Sequence, residues 1–192
     1  LRRPILVKLM DKRSAHRISI IIPVYAGERT LPTLIEEIAP LTEIQTTRDG
    51  NSFTVCEVLL VHDCGPDRSD TAIEALSARY SFVLPIWLSK NYGQHAATLA
   101  GMASATGDWV VTIDEDGQQN PADIGKMLDC AIKSSLQLVY AQPSNPPPHG
   151  WLRNLLSRGA KEVSTRLLGN RAIGRFNSFR LVSGEISRTL AA

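Results

Sequence analysis

Long apolar runs are missing from this 192-residue chain. No stretch of about eighteen apolar residues occurs, so no single helix is expected to span a bilayer. The N-terminus lacks the order of charged, apolar and small residues that marks a secretory signal. Beginning at Leu1 rather than Met, the chain is expected to be a trimmed form. Cysteine is scarce: Cys56, Cys64 and Cys130 show no zinc-ligand spacing, which reads as reduced thiols in a cytosolic protein, with Cys56 and Cys130 as core filler. The histidines, His16, His62, His95 and His149, are scattered, and each fits a structural or surface role better than catalysis. There is no Gly-x-Gly-x-x-Gly after the first apolar run and no P-loop, so dinucleotide enzymes and ordinary NTPases lose their main support. Gly-x-Ser-x-Gly and His-Glu-x-x-His are absent as well.

What remains is an ordinary balance of apolar and charged residues, enough for one globular domain with a proper core. The net charge of +2 conceals an asymmetry. Residues 1–17 carry six Lys or Arg against Asp11, residues 18–130 carry six against sixteen acids, and residues 131–192 carry nine against Glu162 and Glu185. An acidic centre and a basic last third suit a cation and the phosphates it neutralises, with solvated faces as the alternative. The division expected is a basic N-terminal extension over 1–17 and a catalytic domain over 18–192.

Short β-branched runs at 18–24, 55–62, 82–88, 109–113 and 136–142 read as buried parallel strands. Helical patterns fill 30–41, 68–80, 94–106 and 121–134, so the alternation predicts an open, mostly parallel α/β sheet. Ligands bind such sheets beyond the carboxyl ends of the strands. The loops "PVYAGER", "HDCGPDRSD" and "DEDGQQNP" leave those ends. "PSNPPPHG" over 143–150 predicts an irregular loop, and 151–169 an amphipathic stretch that packs on the sheet or, alternatively, lies on a membrane surface.

An Asp-x-Asp pair is weak evidence by itself, and its position strengthens it. Asp114 and Asp116 follow the strand at 109–113, and in extended backbone residues two apart project to one side. Two such carboxylates suit Mg²⁺ or Mn²⁺ while leaving room for diphosphate oxygens. Gln118 is placed to add a carbonyl or water-mediated contact, and Glu115 is expected to point away.

The stretches "IIIPVYAGERTLPTLIEEI", "VHDCGPDRSDTAIEAL", "LSKNYGQHAATLAGMASATGDWVVTIDEDGQQNP", "GWLRNLLSRGA" and "FNSFRL" follow one another in an order that resembles glycosyltransferase family 2. They are most similar to its polyprenyl-phosphate branch, which includes the dolichol-phosphate mannosyltransferases and undecaprenyl-phosphate formamidoarabinose transferases. The resemblance implies a GT-A fold with a metal-bound sugar nucleotide. It assigns Pro23, Tyr25, Glu28, Asp63, Lys90, Asn91, Gly93 and Asp114 to the donor, and Asp114, Asp116 and Gln118 to the metal. Arg153, Ser157 and Arg180 are assigned to the acceptor phosphate, with Asp114, Asp116 and Arg153 as the catalytic set. For Arg180 the alternative is an ordinary buried ion pair. The chain departs from the family where Ala26-Gly27 replaces the usual Asn-Glu, where "HDCG" replaces "NDGS", and at Gly117 and Gly174.

The reaction so implied is inverting transfer from a nucleoside-diphosphate sugar to a polyprenyl phosphate at the cytoplasmic face of a membrane. It brings a peripheral membrane contact, an optional homo-oligomer and no nucleic-acid partner. The alternatives are a hydroxyl acceptor, which needs a general base, and a protein that binds a nucleotide sugar without turning it over.

Overall fold

The computed structural model describes residues 15–141 and 178–191. Arg153 and Ser157, the basic residues 1–14, the proline-rich loop and the amphipathic stretch lie outside the described residues. In chain order the elements are β1 (His16–Val24), α1 (Leu31–Ile38), β2 (Gln45–Thr46), β3 (Ser52–His62), α2 (Ser69–Arg79), β4 (Val83–Trp87), α3 (Gln94–Ser104), β5 (Trp109–Thr112), α4 (Ile124–Lys133), β6 (Leu138–Tyr140), β7 (Arg180–Ser183) and α5 (Gly184–Ala191).

The strands form one sheet in the order β2-β3-β1-β5-β7-β6, with β4 also pairing with β3. β1 lies at the centre, parallel to both β3 and β5. Its Ile18, Ile20, Ile21, Ile22 and Val24 are all fully buried. Side chains alternate across a strand, so this continuous burial requires cover on both faces. The helices supply it. Leu31, Leu34, Ile35 and Ile38 of α1, spaced to share one stripe, pack with Ile73 of α2 and Ile124, Met127 and Leu128 of α4 against Ile18, Ile20 and Ile22. On the opposite face Ala97 and Met102 of α3 meet Ile21, Leu59, Val61, Val110 and Val182.

Two strands escaped the sequence reading. β2 is two residues long, and β7 runs antiparallel between β5 and β6. The consequence of β7's direction is positional. Its first residue, Arg180, pairs with Thr112, the last residue of β5, so the start of β7 lies at the edge where the parallel strands end. β4 was expected to be buried, yet Leu84 and Trp87 are exposed, because it lies at the edge of the sheet, where Pro85 is tolerated. Cys130 is exposed rather than core filler, and Cys56 is partly buried. Position 130 falls off the stripe that Ile124, Met127, Leu128 and Ala131 bury from α4.

Candidate active site

The loops after β1, β3 and β5 and the start of α3 enclose a cavity of about 410 Å³. Its lining is Pro23, Val24, Tyr25, Asp63, Asn91, Gly93, Gln94, Asp114, Glu115 and Asp116. This volume falls in the range of small-molecule sites, and the place is the one an open α/β sheet reserves for ligands.

The loops are held to one another by close backbone approach and by carboxylates. A Cβ on Gly65 would lie 1.4 Å from the Tyr25 carbonyl oxygen, so only glycine lets the loop after β3 run against the loop after β1. Asp63, buried at the end of β3, accepts from the backbone N–H groups of Tyr92 at 2.7 Å and Gly93 at 2.8 Å. It therefore fixes the loop leading into α3, in addition to facing the cavity.

Asp114 stands just past β5. Its Oδ1 accepts from Gln94 Nε2 at 2.6 Å, and its Oδ2 accepts from Gln119 Nε2 at 2.8 Å and from the Ser178 hydroxyl. Burial pushes its carboxyl above the ordinary range. The hydrogen bond from Ser178 opposes this, the charge of Asp116 reinforces it, and the amides of Gln119 and Gln94 oppose it again. Asp116 is exposed and accepts from the Gln118 backbone N–H at 3.0 Å. β5 ends at Thr112 and residues 115–116 form a turn, so the two aspartates are brought to one cavity by the turn and not by strand alternation.

Glu115 does not point away. Burial raises its carboxyl, partly offset by two amides it accepts from, Ala26 N and Tyr25 N, each at 2.9 Å; the charges of Asp67 and Asp116 add to the rise.

Of the residues assigned from the sequence, Pro23, Tyr25, Asp63, Asn91, Gly93, Asp114 and Asp116 come together around this cavity. Glu28, Lys90 and Gln118 are exposed and do not line it; Lys90 Nζ lies over the Tyr92 ring, 5.1 Å from its centroid. Arg180 borders a second hollow of about 250 Å³, with His95, Tyr140 and an apolar wall including Leu99, Leu138 and Ile186. Its Nε is buried with no hydrogen-bond partner, and it makes no ion pair among the described residues, so the alternative weighed for it is not present there. Gln94, Gln119 and Ser178 were missed by sequence reasoning. They lie inside the stretches that carry the resemblance but had been given no role, and the pairing of β7 with β5 is what brings Ser178 to Asp114.

Asp114 and Asp116 fit a divalent cation by the chemistry of their donors. Mg²⁺ and Mn²⁺ take one or two carboxylates, completed by water and phosphate oxygens, and ionised carboxylates accept more bonds than these two already make. Among the described residues no lysine or arginine pairs with either.

The fold is that of known sugar-nucleotide enzymes. A mannosyltransferase from Pyrobaculum calidifontis, solved with GDP-Man and Mn²⁺, superposes with a TM-score of 0.63 at 16% identity, over 94% of this chain and 48% of that one. Glucosyl-3-phosphoglycerate synthase from Mycobacterium tuberculosis, solved with Mn²⁺, UDP and glucosyl-3-phosphoglycerate, gives 0.60 at 20% identity, over 89% and 58%. Both share the GT-A fold with this chain.

In sequence, the undecaprenyl-phosphate 4-deoxy-4-formamido-L-arabinose transferase of Pseudomonas aeruginosa is 39% identical over 117 residues, 60% of this chain and 32% of the relative. The enzyme of the same name from Pseudomonas paraeruginosa is 38% identical over 137 residues, 71% and 38%. The chain thus spans about a third of the length of the curated relatives it matches. The model of the family described as glycosyl transferase family 2 matches residues 19–189, and with the fold and the cavity in agreement the chain belongs to that family.

Proposed function

We propose that the chain is the donor-binding and catalytic part of an inverting glycosyltransferase that moves a sugar from a nucleoside diphosphate to a polyprenyl phosphate. The observation that carries this reading is the cavity beyond β1, β3 and β5, where Asp114 and Asp116 meet without a cationic partner among the described residues. Support for the acceptor comes from the relatives named undecaprenyl-phosphate transferases.

Asp114 and Asp116 would hold Mg²⁺ or Mn²⁺, and the bound ion would stabilise charge on the departing diphosphate. Pro23 and Tyr25 wall the base side, while Asp63 keeps the Asn91–Gly93 loop closed over the donor. A phosphate monoester, with its second pKa near 6, is already a dianion at neutral pH and needs no strong base. Among the described residues no histidine lines the cavity, and Asp63 and Glu115 are both engaged by backbone amides, which suits an acceptor that arrives ionised. Arg180 offers a guanidinium beside an apolar hollow, the combination a lipid phosphate requires. The family resemblance assigns Arg153 and Ser157 to the same phosphate. A lipid acceptor in turn puts the protein at a membrane surface, at the cytoplasmic face; no described helix is long and apolar enough to cross a membrane.

The test is release of nucleoside diphosphate from UDP-sugars and GDP-mannose with Mn²⁺ and a short-chain polyprenyl phosphate. Release is expected to depend on both metal and lipid phosphate. Equal release with a simple sugar hydroxyl would favour the hydroxyl-acceptor reading. No release with any donor would leave a nucleotide-sugar-binding protein.

A further inference from the structure

Four successive backbone N–H groups in the loop after β1 are each taken by a side chain from another segment of the chain. Tyr25 N and Ala26 N donate to the two oxygens of Glu115, each at 2.9 Å. Gly27 N donates to Ser69 Oγ at 2.8 Å, and Glu28 N to Asp67 Oδ2 at 3.0 Å. A run of backbone amides attracts anions. Here the protein fills its own run, and half of it falls to Glu115, which reaches in from the Asp-x-Asp turn.

The space for that carboxylate exists because residue 27 has no side chain. A Cβ on Gly27 would lie 2.7 Å from Glu115 Oε2 and 2.9 Å from Leu31 Cγ. Gly27 is buried and does not have a positive φ, so backbone conformation does not demand glycine; room for Glu115 and for Leu31 does. Glu115 tolerates burial and the nearby Asp67 and Asp116 charges because two amides meet it.

We infer that Glu115 is a positioning residue for the donor: it ties the Tyr25–Gly27 loop, which walls the base side of the cavity, to the turn that carries Asp114 and Asp116. The inference rests on the nucleotide-sugar reading of the cavity. Without Glu115 the loop must be ordered at the moment of binding, which weakens binding without touching the metal carboxylates.

The experiment is calorimetric titration of UDP and GDP, with saturating Mn²⁺, into the chain and its Glu115→Ala, Gly27→Ala and doubly substituted forms. Mn²⁺ affinity without nucleotide and Tm are measured in parallel. For whichever diphosphate the unsubstituted chain binds, Glu115→Ala is expected to weaken binding roughly tenfold, the scale of one charge-assisted hydrogen bond, with Mn²⁺ affinity within about threefold. Gly27→Ala is expected to do similar harm in the unsubstituted chain and less in the Glu115→Ala background, where the collision with the carboxylate is gone and only that with Leu31 remains. A merely structural glutamate would lower Tm and leave the nucleotide affinity of the folded protein unchanged, which would overturn the inference. A parallel fall in Mn²⁺ affinity, or strictly additive losses, would overturn it as well. If the unsubstituted chain binds neither diphosphate, the donor reading itself falls, and this inference with it.

Discussion

The Ser178 hydroxyl donates to Asp114 Oδ2 from a residue 64 positions further along the chain. It arrives there because β7 runs against its neighbours and starts where β5 ends. Folding holds the Asp114 carboxyl above its ordinary range, so in metal-free protein its ionisation costs stability. That part of the stability is present at low pH and is lost as pH rises from the unfolded value, about 3.9, through the raised folded value. A cation needs the ionised form, so Mn²⁺ binding is expected to weaken as pH falls through the same raised value. Ser178→Ala removes a bond that favours the carboxylate and is expected to move this acid limb to higher pH. Mn²⁺ titrations across pH check both statements, and an unmoved limb would count against the assignment.

Asp116 is exposed and has little to do with folding, so Asp116→Asn is expected to change stability by no more than about 0.5 kcal/mol. Its effect belongs to the metal. At a hundredfold excess over its Kd, Mn²⁺ should stabilise the unsubstituted chain by about 2.7 kcal/mol. For a domain of this length that is about 5–10 °C in Tm. The shift is expected to disappear in Asp116→Asn, along with at least about a hundredfold in turnover. Near-normal turnover of the variant in excess chelator would remove Asp116 from the metal site.

Far from the cavity, Asp129 on α4 accepts from the Thr47 hydroxyl at 2.5 Å, the Asn51 amide at 2.8 Å and the Asp49 backbone N–H at 3.1 Å. Burial alone would raise its carboxyl, but these bonds and the charge of Lys133 outweigh that and hold it below the ordinary range. Its stabilisation is therefore complete above the unfolded value, about 3.9, and is lost as pH falls through the lower folded value. Asp129→Ala is expected to cost about 1–3 kcal/mol in urea unfolding at neutral pH, and less in acid. An equal cost at both would mean that the charge is irrelevant.

Gly65→Ala sets a Cβ onto the Tyr25 carbonyl oxygen, and backbone, unlike a flexible side chain, yields little. A destabilisation of at least about 2 kcal/mol is expected from urea unfolding. Diphosphate affinity should fall with it, because the loop after β1 must move. A neutral substitution would show that the two loops do not meet as described.

The fold was legible where burial on both faces writes itself as β-branched runs, as in "ISIIIPV" and "VCEVLLVH", and where a helix start is marked by a proline in its first turn, as Pro32 marks α1. β7 was not, because four residues, Arg180–Ser183, carry no periodicity and owe their state to β5 and β6. Most of the residues that line the cavity were legible through the family motif. Glu115 was misread because strand alternation was carried past Thr112 into a turn. Gln94, Gln119 and Ser178 lie inside the family's stretches, yet their hold on Asp114 had no local signal, since polar side chains that orient a carboxylate are chosen by distance in space.

Ala141 N donates to Phe179 O at 3.0 Å, which extends the ladder between β6 and β7 at the edge of the sheet where the cavity opens. Val182 pairs with Leu138 on one side and with Val110 on the other, so β7 passes the register of β6 to β5, and a slip of one residue would carry Ser178 away from Asp114.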